Sequence, residues 1–320
     1  MSGRASGERP VIGIDVGGAN VKVVAGDEVY IHYCPLWSRA SLHDLLTGHR
    51  SEQCAAAVVM SGELADCFTG KMDGIRWICG QVLAVYPDAR FYGTDARFHA
   101  SPVPELAAAN WLVSADYLRY RYPGSVLVDI GSTTTDIIPL SRFGRLKGLT
   151  DLERLQQGYL IYTGMLRTTI PALIRSVPLK GIDTPVSSEY FACSGDAHLV
   201  LGHIGPADYT TDAPDGREKS VEAARRRLAR VVCADLEEIG TDGADTIARE
   251  FCRAQEGLIV SGIRRACSET GSGHIICAGI GARHYAVTTG GTDLFRDLGP
   301  YSDALPAYSV REVAIRDSFS

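Results

Sequence analysis

None of the nine cysteines stands in a C-x-x-C pair, their number is odd, and they are scattered from Cys34 to Cys277. That usage fits a reducing compartment, where cysteine serves as a small buried hydrophobe and not as a disulfide framework. No apolar run reaches the roughly 18 residues that a membrane-crossing helix needs. The opening MSGRASGERP also lacks the apolar core of a signal peptide. The expectation is a cytoplasmic protein off the membrane, with residues 1–10 as a disordered lead. Positive charge is not in surplus either: 32 Lys and Arg against 38 Asp and Glu give a net charge of -6. A broad surface for nucleic acid or anionic lipid is therefore not expected. The aromatic and basic stretch DYLRYRYPG (116–124) reads as a helix end before a turn.

What is present is enough apolar sequence for more than one core. At 320 residues, 45% hydrophobic and 22% charged, the chain is too long for one small domain, and two are expected. Val11 to Asp15 is a β-branched apolar run followed by the turn Val16-Gly17-Gly18-Ala19-Asn20, a second run Val21 to Ala25, and a third, Val29 to Cys34. This is the pattern of a β-meander. It recurs at Ser125 to Asp129, the turn Ile130-Gly131-Ser132-Thr133-Thr134, the run Thr135 to Leu140, and then Arg142 to Gly148 as the third strand. One constant offset aligns Asp15 with Asp129, Gly17 with Gly131 and Lys22 with Asp136, so the chain carries an internal duplication.

The rest of the chain alternates. Ala55 to Ser61 and Ala89 to Gly93 read as strands, and Asp73 to Tyr86 and Pro104 to Arg119 as helices. Thr150 to Val177 reads as mainly helical, as do Val221 to Glu238 and Asp242 to Ser268. Ile275 to Ala278 is a buried strand ending in Gly279-Ile280-Gly281, and Ala286 to Thr288 a further one. The expected fold class is α/β: a first lobe over 11–125 and a second over 126–320, with a mostly helical insertion at about 149–270.

Each hairpin places an Asp at a strand end and small residues in the turn, where backbone N–H groups can approach an anion, phosphate above all. Asp15 and Asp129 are costly among apolar neighbours unless a counter-charge is supplied. Mg²⁺ suits such carboxylates together with phosphate oxygens. Lys22 can set a point charge on a phosphate, whereas Asp136, opposite in sign, suits a metal or a donor on a second substrate. His198 and His203 lie five apart, poor helical spacing for one ion, and no H-E-x-x-H or Cys/His knuckle occurs, which argues against zinc. The run Arg225, Arg226, Arg227, Arg230 reads as a solvated helix face.

VIGIDVGGANVK, VLVDIGSTTTDIIPL and CAGIGA resemble the two phosphate motifs and the adenosine motif of the actin and hexokinase superfamily. AAANWLVSA (107–115), YTGMLRT (162–168), SSEYFACSGDAHLVLG (187–202) and ARRRLARVVCAD (224–235) resemble, more specifically, the methanofuran-biosynthesis synthases, often labelled hydantoinase/oxoprolinase-like. The resemblance implies a two-lobed actin/hexokinase-like (ribonuclease H-like) fold with a helical insertion in the second lobe. It implies a transferase that joins (5-aminomethylfuran-3-yl)methyl diphosphate to the phenol oxygen of γ-glutamyltyramine and releases pyrophosphate.

Carried onto this chain, the resemblance implies diphosphate binding by Gly17, Gly18, Lys22, Gly131, Ser132 and Thr133, and Mg²⁺ on Asp15 and Asp129. Asp136 is then the group that orients the phenol or takes its proton, with Asp15 or Asp129 as alternative bases. Arg167 would bind the glutamyl carboxylates or the diphosphate. ATP is not expected, and a homo-oligomer is compatible with the sequence. The rival readings are an ATP-dependent kinase or hydantoinase/oxoprolinase-type hydrolase of the same fold, and a non-catalytic ligand-binding protein.

Overall fold

The computed structural model describes residues 9–38, 41–51 and 54–317. Most of the expected disordered lead, residues 1–8, lies outside them. Arg9 pairs with Asp88, and the Pro10 carbonyl accepts the Ala55 amide at 2.8 Å. The chain divides into two compact units, one of residues 1–125, 139–154 and 295–320, the other of residues 126–138 and 155–294.

The first unit carries the strands β1 (Val11–Val16), β2 (Asn20–Ala25), β3 (Glu28–Tyr33), β4 (Ala55–Met60), β5 (Arg90–Tyr92) and β6 (Phe98–His99), in the order β3-β2-β1-β4-β5-β6. β1, β2 and β3 are antiparallel neighbours, while β4 runs parallel to β1 and β5 parallel to β4. Ile12, Ile14 and Val16 alternate onto one face, and Leu42, Leu46, Ile75, Ile78 and Val82 from the helices Leu42–Thr47 and Lys71–Val85 cover it. Burying each such side chain contributes roughly 1.5–3 kcal/mol. On the other face the helix Leu305–Arg316 packs on β1 and β4 and on the helix Asn110–Arg121.

The second unit contains β7 (Val126–Ile130), β8 (Thr135–Pro139), β9 (Leu160–Ile161), the hairpin of β10 (Ser176–Leu179) with β11 (Ile182–Pro185), β12 (Ile275–Ala278) and β13 (Thr292–Asp293). Its sheet runs β9-β8-β7-β12-β13, with β12 parallel to both β7 and β13. Strand for strand this repeats β3-β2-β1-β4-β5, the ribonuclease H-like order of the actin/hexokinase type. The duplication seen in the sequence thus reaches beyond the hairpins to β4 and β12. Helices Ser194–Val200, Val221–Arg230 and Leu236–Thr270 form a further core around Leu228, Ile247 and Phe251. The long helix breaks at Gly240 (φ 71°), where the sequence placed the gap between two helices.

Several expectations are corrected. Residues 142–148 are not the third strand: Leu140, Phe143 and Leu146 are buried three apart in short helical turns, and β9 takes the strand's place. Residues 150–177 hold two short helices and strands β9 and β10 in place of a mainly helical run. Residues 286–288 belong to the helix Ala282–Thr289, and 104–109 precede the helix Asn110–Arg121. The boundary at 126 matches the start of β7, but residues 139–154 and 295–320 cluster with the first unit, because the apolar face of Leu305–Arg316 covers β1. Among the described residues no helix is long and apolar enough to cross a membrane.

Candidate functional site

The first turn leaves β1 at Asp15, whose carboxylate is only 4% exposed. Lys22 is its register partner on β2, so both side chains stand on one face of the hairpin. The Gly17 amide donates to the Asn20 carbonyl at 3.0 Å and closes the turn. Two segments brace it from behind. Leu36 N donates to Gly18 O at 3.0 Å, and Ser61 N and Gly62 N, just past β4, both donate to Val16 O at 3.0 and 3.1 Å. The position a side chain would take at Gly18 is open, with no atom within 4 Å, so a ligand can come against the backbone there.

The second turn has the same wiring. The Gly131 amide donates to Thr134 O at 2.9 Å, Leu166 N and Arg167 N donate to Ser132 O at 2.9 and 3.1 Å, and Gly281 N donates to Ile130 O at 3.1 Å. Asp129, half-buried at the end of β7, sits against Gly279. A Cβ there would lie 2.5 Å from Asp129 Oδ1, and the backbone has φ +77°, so only glycine fits. Gly164 is constrained in the same way, since its Cβ would fall 2.7 Å from Gly131 O and from the carbonyl carbons of Ser132 and Thr133. The stretch YTGMLRT is therefore the brace of the second turn. It brings the exposed Arg167 to Thr133, with Nη1 3.4 Å from the hydroxyl. Gly279 and Gly281, in the stretch that resembles the adenosine motif, press on Asp129 and Ile130. Asp136 is half-buried on β8, opposite Leu160 of β9.

Behind this second brace lies a buried hydroxyl network invisible to motif reading. Thr135 Oγ1 donates to Thr163 O at 2.8 Å, the Thr163 and Thr168 hydroxyls meet at 2.8 Å, and Gly164 N donates to Thr168 Oγ1 at 3.1 Å. Gln255 Nε2 donates to Thr163 Oγ1 and to Gly164 O, at 2.8 and 2.9 Å.

In the first unit the residue missed is Glu63, one position past the bracing Gly62. It is 2% exposed, its Oε2 has no hydrogen-bond partner among the described residues, and burial pushes its carboxyl up to about 7. No motif pointed to it; an acid directly after an apolar strand was the available signal.

Two further expectations change. His198 and His203 do come together, with Nδ1 atoms 2.9 Å apart, because the helix ends at Val200 and the left-handed Gly202 folds His203 back onto the His198 carbonyl. The Arg225–Arg230 run is a solvated face only at Arg226 and Arg230, which are exposed. Arg227 is fully buried on Asp196 and Asp215, while Arg225 pairs with Asp245, Arg226 with Glu222 and Arg230 with Asp215.

The hydantoinase/oxoprolinase family profile matches residues 55–309. The chain is 34% identical over 283 residues to the (4-{4-[2-(gamma-L-glutamylamino)ethyl]phenoxymethyl}furan-2-yl)methanamine synthase of Methanocaldococcus jannaschii, covering 85% of this chain and 86% of that protein. It is 40% identical over 156 residues to the protein of the same name from Methanococcus vannielii, covering 49% and 70%. Among solved structures, nucleotide-free acetone carboxylase superposes with a TM-score of 0.52 at 11% identity, over 94% of this chain and 70% of that one. That likeness shows the fold alone.

Proposed function

The chain belongs to the hydantoinase/oxoprolinase family and, within it, to the synthases of (4-{4-[2-(gamma-L-glutamylamino)ethyl]phenoxymethyl}furan-2-yl)methanamine, and from that membership we propose that it is the transferase forming this ether in methanofuran biosynthesis. The phenoxymethyl link in the relatives' name identifies the bond made, from a phenol oxygen to a CH₂ on a furan. In our reading the CH₂ arrives as (5-aminomethylfuran-3-yl)methyl diphosphate and the phenol as γ-glutamyltyramine. The bond from the furan CH₂ to the diphosphate oxygen breaks, pyrophosphate leaves with the electron pair, a new bond forms from the phenol oxygen to that CH₂, and the phenol proton passes to a carboxylate.

The observation that carries this assignment is the matched wiring of the two turns, each with an Asp at the strand end and a backbone held by two braces. Such turns suit phosphate oxygens, and charge developing on a departing diphosphate is what fixed N–H groups and a cation stabilise. We assign phosphate binding to Gly17, Gly18 and Lys22 in the first unit and to Gly131, Ser132, Thr133 and Arg167 in the second. Asp15 and Asp129 fit a hard cation of the Mg²⁺ class, since both are oxygen donors at strand ends and Asp15 is almost wholly withdrawn from water. When bound, Mg²⁺ neutralises charge on the diphosphate. Asp136 is the group assigned to orient the phenol or take its proton, which needs help because a free phenol has a pKa of about 10. The nine free cysteines suit a cytoplasmic setting.

The deciding experiment incubates the chain with the furan diphosphate, γ-glutamyltyramine and Mg²⁺, following pyrophosphate and the ether product, beside a reaction given ATP. Ether and pyrophosphate in equal amounts without ATP are expected. Turnover that requires ATP would move the protein to the kinase or hydrolase class, and binding without turnover would make it a ligand-binding protein.

A further inference from the structure

Away from the turns, inside the second unit, three ligand atoms of unlike origin converge. His198 lies in the last turn of the helix Ser194–Val200, His203 returns from the loop after it, and Cys252 comes from the helix Leu236–Thr270. His198 Nδ1 is 2.9 Å from His203 Nδ1 and 3.6 Å from Cys252 Sγ, and one ligand atom from each residue lies within 4.8 Å of the others. His198 and Cys252 are buried, and His203 is partly so.

The tautomer of His198 follows from its neighbours. The Gly164 carbonyl can only accept, so it fixes the Gln255 amide nitrogen toward itself, at 2.9 Å, and the amide oxygen toward His198 Nε2, at 2.7 Å. Nε2 must then carry the proton, which leaves a lone pair on Nδ1. Two donors, the His203 ring and the Cys252 thiol, point at that single lone pair, and only one can use it well. A ring whose outer nitrogen donates to a fixed acceptor while its inner lone pair faces other N and S atoms is arranged as metal-ligating histidines are.

We propose that His198, His203 and Cys252 bind one borderline-soft divalent ion, Zn²⁺ by class. A tetrahedral ion with bonds of about 2.0–2.1 Å to nitrogen and about 2.3 Å to sulfur separates such ligands by roughly 3.3–3.6 Å; the 3.6 Å from His198 Nδ1 to Cys252 Sγ matches, and the 2.9 Å between the two Nδ1 atoms opens by a few tenths of an ångström on binding. The N, N, S donor set disfavours Mg²⁺, which separates this site chemically from the carboxylates of the turns. Binding releases the thiol proton to solvent, and the His203 ring proton is held on Nε2 so that Nδ1 offers its lone pair. The ion ties two helices and the returning loop to Gln255, and Gln255 holds Gly164 against the second turn. The site is a positioning device and does not depend on the reaction assigned above.

The test titrates the chelator-treated full chain with Co²⁺. One equivalent is expected, with tetrahedral visible bands and a near-ultraviolet thiolate-to-cobalt band, and Zn²⁺ displaces both while Mg²⁺ does not. Cys252→Ser abolishes the thiolate band. His203→Asn weakens binding at least about tenfold, and Gln255→Leu keeps the band while weakening affinity about tenfold. Cys233→Ser, at an exposed cysteine, changes nothing. A parent protein without the thiolate band, or a band that survives Cys252→Ser or disappears with Cys233→Ser, overturns the proposal. Should Cys252→Ser fail to fold, X-ray absorption of the Zn²⁺-loaded parent decides: one sulfur among nitrogen ligands upholds the site, and a shell without sulfur rejects it.

Discussion

In the first unit Gly17 closes the turn on Asn20, Val16 takes the amide of Gly62, and the next side chain is the buried carboxyl of Glu63. In the second, Gly131 closes on Thr134, Ile130 takes the amide of Gly281, and the next side chain is the methyl of Ala282. The hairpin partners differ as well, with Lys22 in one and Asp136 in the other. The backbone cradle has been kept and the side chains around it have diverged. Bracing has diverged too. Both turns are held by main-chain amides, from Cys34 and Leu36 in the first and from Leu166 and Arg167 in the second, but the second brace is itself backed by a buried chain of threonine hydroxyls and the Gln255 amide.

The largest effect should come from the feature the halves share. If they serve the ligand as proposed, Asp15→Asn and Asp129→Asn each lower turnover about 10³-fold with thermal stability equal or higher. Unfolding of both variants would show the carboxylates to be structural.

Glu63 breaks the symmetry in the first unit. Its native carboxyl keeps its proton up to about 7 and the unfolded one only to about 4.5. The unfolded state therefore binds fewer protons between those values, and stability falls as pH rises through that window, then levels off. The loss is on the order of 3 kcal/mol. Glu63→Gln should remove it, seen as a melting temperature that diverges upward from the parent between pH 4.5 and 7. Parallel curves would mean that the carboxyl is already ionised in the native protein.

Lys22 and Asp136 sharpen the contrast in chemistry. Lys22→Ala should cost about 10²-fold, and less with a better leaving group than diphosphate. Asp136→Asn should cost about as much, and recover part of it with fluorinated tyramines of lower phenol pKa. Equal response of the two variants to phenol pKa would refute the division of labour.

The smallest effect expected is in the bracing of the second turn. Thr168→Val leaves the Gly164 amide and the Thr163 hydroxyl short of a partner, for a loss of about 1–3 kcal/mol in urea unfolding. A neutral result would show that the hydroxyl network is dispensable.

The first meander, the duplicated hairpin and the break near Gly240 were legible because alternation, glycine turns and repeated spacing are local signals. Residues 142–148 were misread because the duplicated hairpin suggested a third strand there, although Leu140, Phe143 and Leu146 stand at helical spacing and lack the alternation of a strand. The return of residues 295–320 to the first unit depends on a long-range packing choice that no window contains. His203 reached His198 through a left-handed glycine, a route helical spacing cannot express. Arg227 looked solvated because its counter-charges, Asp196 and Asp215, lie elsewhere in the sequence. Turn residues announce themselves, whereas the groups behind them, Glu63, Thr168 and Gln255, carry no motif.

The C-terminal helix Leu305–Arg316 that covers β1 bears on how the protein is made. β1 is synthesised before the helix that covers it, with the whole second unit translated in between. The second unit, whose late segment runs without interruption from 155 to 294, can condense while the nascent chain is still attached to the ribosome. The first must wait with one side of its sheet bare, a span of exposure in which chaperone capture competes with aggregation.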